Sequence, residues 1–482
     1  MADRRPAARM QLVEVEDAPT PTSPSRAADN EMHPVQAAET SRPPAGVLRH
    51  WWPVAVLVVL AIVVSSLVAS ARDRAFVARM AAVPGMVRPL DSAPVPLWET
   101  LASPLPGTLL AADGALVVLG ADDEGWTVTA HDPTTGAERW STVVAQASRA
   151  GFESTAAVCP ALREDVGSLV VCLVQLPRVL YSDDSSIQEP PRVAVVPLSA
   201  EDGSRLGGWE VRGVIVGFDR VEDDLVVGTL DSEGRLTVQR RDGRSGDVVW
   251  SMVTPVVMES AATVTAAAMR VLPPVVVLEG GATIVLDVDD GSTIMTAARF
   301  SGLQVAPLGE RFATWAPVGG GHVHGVGGTA LYAVSGLPAE LSADDGSLAG
   351  SLLVDEGPEV AALDLATGAE RWRVRSMLDP RVLVSHHLVV SGGSTYGVLD
   401  ATDGSMLWEV DTSAVLPWSP LSDGSLVLGP GTSADGGPEL WGRGLDDGAR
   451  YWSVPLPEGV RWVDSVGGHL VVRTENTLTV YG

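Results

Sequence analysis

Few residues in this sequence combine a reactive type with a suggestive spacing. His322 and His324 stand two apart in "GGGHVHG", and strand alternation would put both on one face. Such a pair is half of a tetrahedral zinc or copper site. Two ligands do not hold a metal, and the other histidine pair, His386 and His387, is not brought near by any visible pattern. Cys159 and Cys172 are the only cysteines and flank what reads as a hairpin, "AVCPALREDVGSLVVCLV". Facing each other across paired strands, they would form a disulfide contributing about 3 kcal/mol in the chain-entropy model. The alternative reading is two buried, reduced thiols. Acidic doublets such as Asp223/Asp224 and Asp289/Asp290 fall in predicted turns and read as solvated loop tips rather than calcium ligands. No G-x-S-x-G elbow, P-loop or H-E-x-x-H helix occurs. The sequence therefore assigns no catalytic residue, no metal ligand set and no cofactor.

What does recur is a motif suited to building structure. "DPTTGAERW" at 132–140 and "DLATGAERW" at 364–372 share an Asp, a Gly four residues later and a Trp four beyond that. The spacing returns at Asp242/Gly246/Trp250, Asp287/Gly291/Met295 and Asp400/Gly404/Trp408. It frays at Gly448/Trp452, where Gly444 replaces the Asp, and at Gly203/Trp209, which is one residue longer. The copies at Asp132/Gly136/Trp140 and Asp364/Gly368/Trp372 are the cleanest. Short Val- and Leu-rich runs precede each copy and read as strands. The Asp carboxylate is expected to cap the turn that follows, and the Gly to take positive φ. The Trp is expected to fill the wedge between neighbouring sheets.

Trp-type positions fall at 98, 140, 209, 250, 295, 372, 408 and 452, with most gaps between 36 and 45 residues. In an all-β chain that period means propeller blades, each a four-stranded meander. Eight blades are expected, with seven as the alternative. The 77-residue gap leaves room for a ninth, degenerate blade around "TALYAVSG". The polar stretches "YSDDSSIQEPP" and "LPAELSADDGSLAG" in the two long gaps read as looped-out insertions. The chain stops on a strand, "NTLTVYG", while "VPLWET" is a Trp-bearing strand with no motif before it. Pairing the two would close the ring.

The unit "VAALDLATGAERW" resembles the repeat of the pyrroloquinoline quinone (PQQ) enzymes and of the outer-membrane assembly lipoprotein BamB, over roughly residues 95–482. The resemblance implies an all-β, PQQ-like propeller. It does not bring the quinone site with it, because the adjacent cysteine pair that accompanies the cofactor in those enzymes has no counterpart here.

Residues 51–71 form an uncharged run long enough to cross a bilayer core of about 30 Å, with Trp51 and Trp52 at one edge and Arg72, Arg74 and Arg79 at the other. The expected organisation is a disordered cytoplasmic tail (1–50), a transmembrane helix (51–71), a stalk (72–94) and the propeller (95–482). Cleavage after "ASA" at 69–71 is the alternative for the span. The local arginine count leans toward a cytoplasmic propeller. Against it stand the cysteine pair and the net charge beyond residue 50, where 27 Arg face 53 acids. Large domains also translocate largely regardless of such counts. The propeller is therefore expected outside the membrane. A formal charge of −27 and the absence of Lys make nucleic acid an unsuitable partner. The Gly- and Pro-rich, Lys-free usage resembles that of high-GC actinobacterial genomes. The functional expectation is a single-pass, non-catalytic module binding a protein or polymer of the cell envelope. A divergent propeller enzyme with its substrate at the axis is the alternative. The tract "PTPTSPS" reads as ordinary disorder rather than a signalling site.

Overall fold

In this computed structural model the described residues are 83–482, except 91, 102–108, 122–124, 147–155, 161–166, 177–178, 183–184, 189–190, 260–265, 300 and 413–417, together with 57, 58, 60, 75, 76, 79 and 80. The chain divides after Val68, and the propeller lies within 69–482. The expected tail, and the expected span apart from three positions, lie outside the described residues. Among those described, no helix is long and apolar enough to cross a membrane.

The second strand of a blade is typically a continuous apolar run, as in Leu169–Gln175, buried at every position but the last. The fourth strand alternates, as in Glu370–Arg375, where Trp372 is the buried position among exposed and half-buried neighbours. The difference is positional. A middle strand has a neighbouring blade on each face, whereas a fourth strand lies at the rim and meets water.

Among the described residues nine such sheets follow one another, which corrects the eight expected and the alternative seven and matches the ninth, degenerate blade for which the 77-residue gap left room. Blades 1 to 8 occupy residues 109–146, 157–212, 214–253, 268–298, 304–334, 337–375, 379–411 and 421–455. Blade 9 takes three strands from 462–481 and its fourth from Pro96–Leu101. That strand pairs antiparallel with Thr477–Tyr481, and Val95 and Gly482 exchange backbone hydrogen bonds of 3.0 and 3.1 Å. The core is divided in the same way. Among the described residues nine apolar clusters occur, each joining one blade to the next, including blade 9 to blade 1 through Leu116, Val118, Val471, Leu478 and Val480.

The extra blade is blade 5, where the degenerate "TALYAVSG" stretch lies. Its third-to-fourth turn carries Gly325 where the Asp belongs, is one residue shorter, and leads to Tyr332 in place of Trp. Three departures in one copy hide it from a search for Asp, Gly and Trp at fixed spacing.

The two polar stretches behave differently. Val179–Ser182 and Ser185–Gln188 form a separate two-stranded ribbon inserted in blade 2. The stretch from Ala339 to Gly350 is not looped out. Ala343–Asp344 crosses to blade 7 and pairs parallel with its first strand, while Asp345 Oδ2 accepts the Ser385 N–H at 2.8 Å. Part of the expected stalk is also packed against the ring. Met80, Met86 and Val87 are buried, and the N–H groups of Val87, Arg88 and Leu90 donate to Ser422 O, Gly468 O and Asp423 Oδ2. These acceptors lie at the ends of the first strands of blades 8 and 9.

Candidate functional site

The motif residues meet at the blade junctions. Asp132 Oδ1 accepts the N–H groups of Thr134 and Thr135 at 3.1 and 2.9 Å, and Asp364 Oδ1 does the same for Ala366 and Thr367. Hydrogen bonding to Thr135, backbone and hydroxyl, lowers the Asp132 carboxyl to about 2. Arg371 and Thr367 lower Asp364 to about 2. The Asp242, Asp287 and Asp400 carboxylates cap the equivalent turns.

Each motif Gly has φ near +70°, but conformation is only half of its role. A Cβ built on Gly136 would stand 2.5 Å from the Trp98 ring, and one on Gly404 2.7 Å from Trp372. The Trp of one blade thus lies flat on the Gly of the next. Its indole N–H then donates to the carbonyl one residue past that blade's Asp position. Trp98 meets Pro133 O at 2.9 Å, Trp250 meets Val288 O at 3.0 Å, Trp372 meets Ala401 O at 2.9 Å and Trp408 meets Leu445 O at 2.7 Å. Trp140 and Trp209 do the same toward Ala200 and Gly243. The Tyr332 hydroxyl copies the indole toward Leu365 O at 2.9 Å, while its ring lies against Gly368. Gly448 receives Trp408, and Gly246 and Gly291 receive Trp209 and Trp250. Trp452 faces the blade whose third and fourth strands are joined by no turn, and its Nε1 has no hydrogen-bond partner among the described residues. The sequence reading placed the Trp in the wedge between neighbouring sheets, as found; its seat on the next blade's Gly and its hydrogen bond to that blade's carbonyl went unread.

The histidines serve the same scaffold. The His324 ring stacks on Phe312 at 4.9 Å, its Nε2 meets Thr314 Oγ1 at 2.8 Å, and its Nδ1 meets Gly328 O at 3.1 Å. It sits one residue before the Asp-equivalent position, where His131, Arg241 and Arg443 likewise bond the motif Gly carbonyl. His322 is exposed beside it, and His387 Nε2 bonds Asp446 Oδ1 at 2.9 Å in another part of the ring. Among the described residues no group of three or more His, Cys, Asp or Glu side chains forms a set able to hold a metal ion. Cys159 and Cys172 are both buried and joined as a disulfide, spanning 13 residues within blade 2.

A cleft of about 1010 Å³ opens where the first strands of blades 5, 6 and 7 begin. Leu303, Val305, Trp315, Leu337, Pro338 and Pro380 supply its apolar side. Arg270 pairs with Glu279 at 2.7 Å and Arg381 with Asp379 at 2.5 Å along its polar side. Burial works against the charge on Glu356, but hydrogen bonds from Arg373 and Ser335 outweigh it and hold the carboxyl below its usual range. No sequence motif marks this cleft, because its residues come from four blades and from the connections between strands. It stands at the opposite ends of the first strands from the packed segment around Met86.

Residues 305–481 match a family model described as outer membrane protein assembly factor BamB. No curated protein matches the chain. Among solved structures, BamB from Moraxella catarrhalis is 14% identical with a TM-score of 0.41, covering 81% of this chain and 99% of its own. The computationally designed Ika8 protein is 11% identical at a TM-score of 0.39, over 78% and 95%. A quinohemoprotein alcohol dehydrogenase of Pseudomonas putida HK5 is 12% identical at a TM-score of 0.38, over 81% and 76%. The closed ring and its repeated junctions make this chain a β-propeller, and over blades 5 to 9 its repeats are of the PQQ-like, BamB type.

Proposed function

We propose that this protein is a single-pass, membrane-anchored propeller that works outside the membrane as a non-catalytic binding module for a protein or cell-envelope polymer, using the cleft end of the ring. The observation that carries the reading is the division of labour between the two regions. The motif carboxylates, glycines and indoles are engaged in capping turns and joining blades, while a cleft at the top of the range for ligand sites stays open where the first strands of blades 5 to 7 begin. The uncharged run at 51–71 supports the anchor, and the Cys159–Cys172 disulfide supports an oxidising compartment.

Two experiments test it. Intact cells treated with an impermeant maleimide should show labelling of Cys159 and Cys172 only after reduction under mild denaturation. Labelling after lysis alone, without reductant, would place the ring in the cytoplasm. Purified full-length protein given PQQ, calcium and an electron-accepting dye should not oxidise alcohols or sugars. Turnover above the apoprotein would replace the binding-module reading with an enzymatic one.

A further inference from the structure

The charges of the cleft are not balanced. Arg270 and Arg381 are matched by Glu279 and Asp379, and Glu356 is held by Arg373. Two further carboxylates line the same space, Glu340 and Asp355, and among the described residues neither forms an ion pair. Glu340 is exposed, and Asp355 accepts only a local hydrogen bond from the Gly357 N–H at 2.8 Å. The surplus lies in a concave, partly apolar site, where low-dielectric walls focus the field of an unpaired charge. The protein as a whole carries −27, so its net field has the same sign as the surplus in the cleft.

Size limits the occupant further. At about 1010 Å³ the cleft reaches the upper end of the range for small-molecule pockets. It extends from Arg270 in blade 4 to Arg381 in blade 7, which suits an elongated ligand crossing several blades. Alternating apolar and cationic side chains on such a ligand would meet Leu303, Val305 and Leu337 with one set, and Glu340 and Asp355 with the other.

We infer that the cleft binds an extended, lysine- or arginine-bearing polypeptide segment of a partner, with Glu340 and Asp355 receiving its cations. This rests on the reading of the protein as a binding module and names the chemistry of what it binds. Charge complementarity favours a cationic polypeptide over a neutral sugar polymer, whose hydroxyls can donate to the carboxylates but which brings no charge to offset the surplus. It also implies salt-sensitive association, since partly exposed charges are screened at physiological ionic strength.

The test uses the full-length protein in detergent and a fluorescein-labelled nine-residue peptide alternating Lys and Val, followed by anisotropy. Binding is expected, with the same peptide carrying Glu for Lys at least about tenfold weaker. The double variant Glu340→Gln, Asp355→Asn should weaken the Lys peptide by about tenfold at unchanged melting temperature. Glu340→Lys, on an exposed side chain that bears no part of the fold, should weaken it further. Undiminished binding to these variants, equal binding of the Glu peptide, or no binding to the wild type would overturn the inference. Displacement by a neutral chito-oligosaccharide would assign the cleft to a sugar polymer instead. A partner crosslinked elsewhere on the ring would leave the binding-module reading standing while this inference failed, whereas dye reduction with PQQ would end both.

Discussion

Replacing Gly404 with Ala tests whether the blades are held by the stacking of Trp on Gly or merely contain it. Gly404 has φ +78°, and its added Cβ would lie 2.7 Å from Trp372 Cε3 and 3.0 Å from Cζ3. The ring cannot easily retreat, because it is 8% exposed and tied to Ala401 O. Positive φ alone costs a side-chain-bearing residue about 1–2 kcal/mol. Overpacking adds about 1–3 kcal/mol, so the total expected is about 2–5 kcal/mol. Gly393 supplies the control, with φ +62° and open space where its Cβ would go. Gly393→Ala should therefore cost only the conformational part, about 1–2 kcal/mol. Urea unfolding followed by indole fluorescence and far-ultraviolet circular dichroism gives both values, with denaturant midpoints compared at matched slopes. Equal losses for the two variants would refute the claim that contact with Trp372, rather than turn geometry, fixes the glycine.

Further outcomes follow from the same structure. Trp452→Phe should cost about 1 kcal/mol less than Trp372→Phe, because only Trp372 donates its N–H to a carbonyl that would be left unpaired; equal losses by denaturation would contradict this. Cys159→Ala with Cys172→Ala should destabilise by about 3 kcal/mol, and reductant should shift the melting of wild type but not of the variant. Burial lowers the His469 imidazole to about 4, so the unfolded chain binds the extra proton between about 6.5 and 4. Its contribution is complete above pH ~6.5 and is lost as pH falls toward ~4, up to about 3 kcal/mol; His469→Leu should flatten that part of the stability profile. Asp132 and Asp364, lowered to about 2, contribute above the unfolded carboxylate value near 3.9 and lose that contribution as pH falls toward about 2. The paired Asp→Asn variant should therefore melt progressively closer to wild type over that interval.

How much of this was legible in the sequence depended on which residues carried information. A turn that needs an acceptor, a positive φ and a flat ring writes itself as Asp, Gly and Trp, so the blade type, its period and the closure by Pro96–Leu101 could be read directly. Blade 5 was legible only as a degenerate alternative in the 77-residue gap, because tyrosine donates a hydrogen bond as indole does and Gly325 leaves the turn without a capping carboxylate. The Ala343–Asp344 crossing escaped because two paired residues inside a polar stretch leave no periodic trace. The cleft was beyond reach for a different reason. Its residues are neighbours only once blades 4 to 7 stand around one axis, and nothing local requires Glu340 to face Arg381's side of the ring. Conversely, the pair His322 and His324 looked chemical because strand alternation is the same for a metal site as for a ring stacked on Phe312.

The shared ninth blade has a consequence for the order of events during synthesis. The strand bearing Trp98 is made early, yet its partner strand follows about 380 residues later, as the Glu99–Thr479 contact records. Eight blades therefore have their own strands available while the earliest strand still lacks its neighbour, and an unpaired strand edge is the part of a nascent chain most exposed to mispairing. Loop-closure entropy grows only with the logarithm of length, so the delay itself costs little free energy. It costs time, during which the ring stands open and both of its terminal edges need protection. Losing only residues 477–481 would thus unpair the strand Pro96–Leu101 and, in the same step, take Leu478 and Val480 out of the junction with blade 1, so both edges of the closure would fail together.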